Sequence, residues 1–153
     1  MPYDPTRKFD KPESEFTDKV VQIKRVSKKT KGGNQISFTA LVVTGDKKSR
    51  VGVGLGKAKS VASAIQKAIQ KGRKSMITIP TQNGTIINSI KLKFKSAIIL
   101  LRPGKSGSGL IAGGPVRAVV EAAGVKDIAS KIIGSKNKSV NVWATLKALS
   151  MLR

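Results

Sequence analysis

The chain has 153 residues and carries 30 Lys and Arg against 8 Asp and Glu, a formal charge of +22 at pH 7. It has no cysteine and no histidine, which excludes disulfides, thiol nucleophiles, thiolate metal sites and imidazole acid–base chemistry. Five of the eight acidic residues but only three of the thirty basic ones precede residue 19, so the body of the chain is strongly cationic. A folded domain of that charge repels itself unless a polyanion neutralises it, and nucleic acid is the first candidate. An anionic membrane is the second. Against it, the longest apolar run in the body is about five residues, Ala97 to Leu101, far short of a span. The first residues form no apolar leader, and the chain reads as cytosolic. Among the body carboxylates, Glu121 and Asp127 read as solvated surface charges rather than a catalytic pair. No catalytic residue, metal or cofactor is expected.

Residues 1–17 are polar, with three prolines and mixed charge, and read as a mobile tail. Lys19 to Lys28 has the alternation of a strand, with Val21 and Ile23 on one face and Gln22 and Lys24 on the other. The pattern slips at Arg25-Val26, which suggests a bulge there. Ser27 to Asn34 is a hairpin connection holding Lys28, Lys29, Lys31 and the pair Gly32-Gly33. Gln35 to Gly45 is the clearest strand, with Ile36, Phe38, Ala40 and Val42 on one face.

Arg50 to Lys59 is the stretch around which the chain is organised. Val51, Val53 and Leu55 alternate with Gly52, Gly54 and Gly56, so one face is apolar and the other bare. Lys57 and Lys59 follow where the strand passes into a helix over Ser60–Lys74, whose stripe is Val61, Ile65, Ala68 and Ile69. Backbone donors, a helix dipole and two lysines describe an anion site. The alternative is that the glycines only let a helix pack closely on the strand. A dinucleotide fingerprint fails because its third glycine would be Lys57, and a P-loop fails at Val51 and Ala58. Three strands and a helix entered through Gly54-x-Gly56-Lys57-Ala58-Lys59 resemble the double-stranded-RNA-binding domain, whose last helix grips phosphates through a lysine-rich turn.

Beyond it, Met76–Pro80 reads as a short strand and Gln82-Asn83-Gly84 as a turn. Ile90, Leu92 and Phe94 alternate with Lys91, Lys93 and Lys95, a half-buried strand with a cationic outer face. Ala97–Leu101 is expected to be covered on both sides. Arg102 to Gly109 is a second basic, glycine-rich loop. Gly113-Gly114-Pro115 opens a helix with a Val116, Val119, Val120, Ala123 stripe, ended by Gly124. Ile128–Ile133 is read as a strand. Asn137–Asn141 starts a last helix with Val142, Leu146 and Leu149 inward, and Trp143 is read as either a core anchor, the favoured alternative, or an exposed stacking surface. Small-molecule kinases of the galactokinase type share Pro103 and Gly107, but Ser108-Gly109-Leu110-Ile111 lacks their paired serines. The fold class is α+β in two units: residues 18–75, a three-stranded antiparallel sheet with one helix, and 76–153, two helices on a sheet.

The blocks Arg25-Val26-Ser27-Lys28, Lys31-Gly32-Gly33, Ser37 to Val43, Arg50 to Ala58, Ile111 to Gly114, Val116 to Val119 and Ala123-Gly124-Val125 resemble the bacterial fifth protein family of the small ribosomal subunit. The likeness is collinear over about residues 16 to 150. It departs at Asn34, where arginine is usual, at Lys105-Ser106, more cationic than usual, at Ile87-Asn88 and at Asn137-Lys138. The resemblance implies a double-stranded-RNA-binding-like domain followed by a two-layer α/β domain. It implies binding to small-subunit ribosomal RNA of the 16S type, a role in 30S assembly and decoding accuracy, and contacts with small-subunit proteins four and eight. It also implies a place, with proteins three and four, along the messenger entry path. Together with the basic loops it marks Lys24, Arg25, Lys28, Lys29, Lys31, Gly32, Gly33, Asn34, Arg50, Gly54, Gly56, Lys57, Lys59, Lys105, Ser106, Gly107, Ser108 and Arg117 as the expected RNA contacts. The competing reading is a free double-stranded-RNA-binding chaperone or regulator.

Overall fold

The computed structural model describes residues 15–152; residues 1–14 of the expected tail lie outside them. The elements run β1 (Thr17–Thr30), β2 (Gly33–Gly45), β3 (Arg50–Ala58), α1 (Val61–Lys74), β4 (Ile77–Thr78), β5 (Thr81–Gln82), β6 (Thr85–Ile86), β7 (Ile90–Phe94), β8 (Ala97–Pro103), β9 (Leu110–Ile111), α2 (Gly114–Ala123), β10 (Ile128–Ile133) and α3 (Lys138–Ser150). The first sheet has the order β1-β2-β3-β4 and is antiparallel throughout. The second has the order β7-β8-β10-β9, with only the β9–β10 pair parallel. The α+β class is therefore as expected, with β9 the strand that its two-residue length hid.

Both faces of the first sheet are covered. On one lies α1, and the bare face of β3 is what admits it. A Cβ at Gly54 would collide with the carbonyl of Ala68, one at Gly52 with that of Gly72, and one at Gly56 with that of Ala64. The buried seam of α1 is accordingly Ala64, Ala68 and Gly72, four residues apart, with Ile65 and Ile69 on its flank. Backbone thus packs against backbone, and Ala40 and Val42 of β2 complete this smaller core. Gly54 and Gly56 are buried and meet a helix of their own chain, so they do not form the open phosphate cradle expected of them.

The opposite face carries Leu41, Val43, Val51 and Val53 into a larger core. That core is shared with Val116, Val119 and Val120 of α2, with Val142 and Leu149 of α3, and with Ile99 and Leu101 of β8. The layers are therefore α1, first sheet, α2 with α3, and second sheet. β8 is covered on one face only: Ala97, Ile99 and Leu101 are buried, whereas Ile98 and Leu100 face outward, because both helices lie on the same side. The bulge in β1 falls between Val20 and Gln22, not at Arg25-Val26. The inserted Val21 turns to the larger core, while Ile23 pairs with Ala40 on the α1 side, so the two do not share a face. Trp143 is 36% exposed on α3, not an anchor. The helix spends Val142, Ala144, Leu146 and Leu149 on the core, leaving the indole on the outer flank.

The β2–β3 turn ties the first sheet to α2. The Asp46 carboxylate accepts from the backbone N–H groups of Lys48 (2.8 Å) and Arg50 (3.0 Å) and from Arg50 Nε (2.8 Å). Lys47 and Ser49 hold left-handed φ of 56° and 102°, which non-glycine residues adopt only under constraint. The constraint comes from α2: Lys47 N–H donates to Ala122 and Ser49 N–H to Ala123, satisfying carbonyls at the end of the helix. Burial pushes the Asp46 carboxyl up. The Arg50 side chain, the two backbone donors and the Arg50 charge outweigh that and hold it below the ordinary 3.8.

Gly54→Ala is expected to cost about 3 kcal/mol or more by forcing α1 off the sheet, read by urea unfolding. For Asp46, a depressed pKa means the stabilisation is complete above the unfolded value of 3.8 and is lost as pH falls through the lower, folded value. The stability difference between the wild type and Asp46→Asn should be constant from pH 7 to about 5 and shrink only below 3.8, measured by thermal melts across that range.

Candidate nucleic-acid interface

β1 and β2 outrun the rest of their sheet. β3 ends at Ala58 opposite Phe38, but the β1–β2 ladder continues through Val26↔Ser37, Lys28↔Gln35 and Lys29↔Asn34 to Thr30↔Gly33. The turn is only Lys31-Gly32, closed by Thr30 Oγ1 donating to the Gly33 carbonyl at 2.6 Å. Most of the expected eight-residue connection is therefore strand, because the ladder accepts any side chain that points into solvent on both faces. Residues 27–36 are all exposed, so among the described residues no other element buries this arm. Register puts Lys24 and Lys28 on the face away from α1, with Arg25 and Lys29 on the α1 side, so both faces are cationic.

At the base of the arm, Lys57 is exposed at the end of β3, and Lys59 precedes Ser60, whose Oγ accepts from Ser63 N–H to cap α1. These two lysines stand beside a helix start as the spacing predicts; the glycines between them and Arg50 do not contribute. Arg50 sits about seven residues back along β3, roughly 23 Å from Lys57 at strand rise. It is engaged there by Asp46 and lies over the Phe16 ring at 5.8 Å, with Arg73 over the same ring at 5.2 Å. Phe16 and Thr17, counted in the tail from sequence, are thus part of the fold.

Lys105, Ser106, Gly107 and Ser108 form a second, separate exposed region between β8 and β9. Ser108 N–H closes the turn onto the Lys105 carbonyl at 3.0 Å, and Gly107 and Gly109 take left-handed φ of 84° and 73°. Asp127 anchors the loop. It is 8% exposed, and its Oδ1 accepts from Gly109 N–H at 2.9 Å, so it is a buried structural acceptor rather than a solvated charge. Glu121 is half exposed and meets Lys19 at 3.3 Å, a surface pair of little energetic weight. Arg117 is exposed in the first turn of α2, whose cap residue Gly113 lies against Ile132 at the other end of β10.

The expected contacts thus fall into the arm with its base, the Lys105–Ser108 loop, and two outlying arginines. Sequence reasoning missed two surfaces that long-range pairing creates. On the outer face of the second sheet, Lys91, Leu100 and Lys131 form one row across three strands, beside Arg102. Between the first sheet and α3 runs a groove of about 230 Å³ lined by Gln22, Lys24, Thr39, Leu55 and Ser139, among others. The lysine alternation in β7 was a local signal for the first; nothing local brings Ser139 to Lys24. Among the described residues, no helix is long and apolar enough to cross a membrane, and no group of His, Cys, Asp and Glu could hold a metal ion.

Fold and surface define the class: an α+β protein built on two four-stranded sheets, with a small β5–β6 pair, that presents lysine and arginine on projecting and looped backbone. Residues 16–80 match the family described as ribosomal protein S5, N-terminal domain, and residues 92–153 match its C-terminal domain. Among relatives, the small ribosomal subunit protein uS5 of Treponema denticola is 48% identical over 140 residues, 92% of this chain and 81% of the relative. That of Campylobacter jejuni is 47% identical over 139 residues, 91% of this chain and 95% of the relative. The chain belongs to the ribosomal protein S5 family, a structural component of the ribosome and not an enzyme.

Asp127→Ala should lower stability by about 1–3 kcal/mol through the unpaired Gly109 amide. Hydrogen exchange is expected to speed up at Gly109 and stay unchanged along the arm.

Proposed function

We propose that this protein is a constituent of the small ribosomal subunit that binds small-subunit ribosomal RNA by shape and charge rather than base sequence. The observation that carries this reading is the arm: an exposed, cationic two-stranded ribbon that no other described element buries. A two-stranded ribbon on its own is marginal in water, so a protein that maintains one has a use for it against something else. Here Lys24, Arg25, Lys28, Lys29 and Lys31 neutralise phosphates, while Gly32, Gly33 and Asn34 let the tip approach closely. Lys57 and Lys59 extend the contact to the start of α1, and the Lys105–Ser108 loop with Arg117 makes a second one.

Through these contacts the protein supports subunit assembly, adjoins small-subunit proteins four and eight, and borders the messenger entry path with protein three nearby, influencing decoding accuracy. That the relatives are named as small-subunit proteins supports the same place for this chain.

A sucrose gradient of native lysate at low and moderate salt tests it. One copy per small subunit, retained at moderate salt, is the expected result. A chain free in the top fractions would point instead to a chaperone acting off the ribosome. Replacing Lys28, Lys29 and Lys31 by alanine together should reduce the slope of log affinity on log salt by roughly 0.9 for each duplex phosphate left without its lysine, up to about 3 in all.

A further inference from the structure

We propose that the groove between the first sheet and α3 binds one unpaired nucleotide of RNA, its base stacked on Trp143 and its flanking phosphates held by Lys24 and Lys57. The inference rests on the RNA-binding reading and assigns it a site at the base of the arm, on the side of α3. Lys24, Thr39 and Lys57 lie in one register row across β1, β2 and β3, on the face turned away from α1. Two strand spacings separate the lysines, roughly 10 Å at the strand, a separation their flexible side chains can adjust to successive phosphates. The next row is Gln22, Leu41 and Leu55, with Leu55 42% exposed, giving the groove an apolar floor with polar atoms at its edge. Ser139, in the first turn of α3, forms the opposite wall, and none of the lining residues is acidic.

Trp143 follows Ser139 by one helical turn. Trp143 does not itself line the groove, but it is exposed one turn beyond Ser139, and long helical side chains lean toward the helix N-terminus, which is the groove side. The other described aromatics are engaged within the fold. Phe16 lies under Arg50 and Arg73, Phe94 under Lys95 and Lys147, and Phe38 packs against the α1 core. Trp143 alone among the described aromatics is an exposed large apolar surface. An indole beside lysines offers a stacking platform to a base that has left its helix, whereas paired bases keep both π-faces covered. A second copy of this chain would bring lysine against lysine.

The chain has a single tryptophan, so its emission reports on this site alone. The intact protein is titrated with a short RNA hairpin carrying one bulged adenosine and with the same hairpin fully paired. The bulged RNA should quench the emission and the paired RNA should not. Trp143→Ala should weaken the bulged hairpin roughly tenfold with the paired one unchanged, and Trp143→Phe should restore most of that affinity. Lys24→Ala with Lys57→Ala should flatten the salt dependence for the bulged RNA more than for the paired. Unchanged emission with both RNAs, while filter retention shows both bound, would overturn the site and leave the RNA-binding function standing. Equal quenching by both would overturn it too, since no extruded base is then needed. Retention of neither RNA at low salt would overturn function and site together.

Discussion

The first sheet is apolar on both faces, and the rest of the architecture answers that constraint. A sheet of this kind must be covered twice, because β2 carries buried side chains to either side, Ala40 and Val42 to one and Leu41 and Val43 to the other. The two covers are built by opposite means. On one side β3 has no side chains, so α1 settles onto the backbone itself, and its own buried seam shrinks to alanine and glycine to match. On the other side valine and leucine meet the valines of α2 and α3 in ordinary side-chain packing. The first cover is intolerant of any added atom; the second has the usual tolerance of a hydrophobic core.

Packing so much of the apolar content into these layers leaves the surface to lysine and arginine. Three ion pairs join described residues, and three acidic side chains lie beyond residue 18, so most of the positive charge faces solvent uncompensated. Two of those three carboxylates have internal tasks: Asp46 shapes the turn that meets α2, and Asp127 holds the glycine loop. Asp46 and Asp127 therefore shape loops that carry cationic side chains, while Asp18, Asp46 and Glu121 each offset only one cation.

The elements were legible from local pattern wherever one face is buried and the other is not. β7, α2 and α3 show the alternation or stripe, and their caps, Gly113, Gly124 and Asn137, stand where the chemistry predicts. Glycine was where local reading went astray. Gly52, Gly54 and Gly56 announce a close approach of backbone, but only the tertiary structure says that the approaching group is the chain's own helix. The length of β1 was understated because a strand solvated on both faces has no periodicity to detect. Trp143 misled because hydrophobicity alone suggested burial, while α3 had enough smaller residues to fill its share of the core. The separation of Arg50 from Lys57 follows directly from strand rise. Which cations gather around one groove depends instead on the packing of residues more than a hundred positions apart, such as Lys24 and Ser139.

The larger core runs without interruption from the first sheet through α2 and α3 to the second. Such a body behaves as a strut: the arm at one place and the Lys105–Ser108 loop at another are held at a set distance and orientation. Once either end is seated on a large folded polyanion, the other is confined to a small volume, and its second contact becomes an intramolecular step at high effective concentration. A hinged pair of domains would dilute that advantage. Two contacts that are individually weak and salt-sensitive can then hold together firmly, provided the surface they grip has itself folded to the matching spacing. On the RNA-binding function proposed above, the protein acts as a caliper that rewards one geometry of its partner over others.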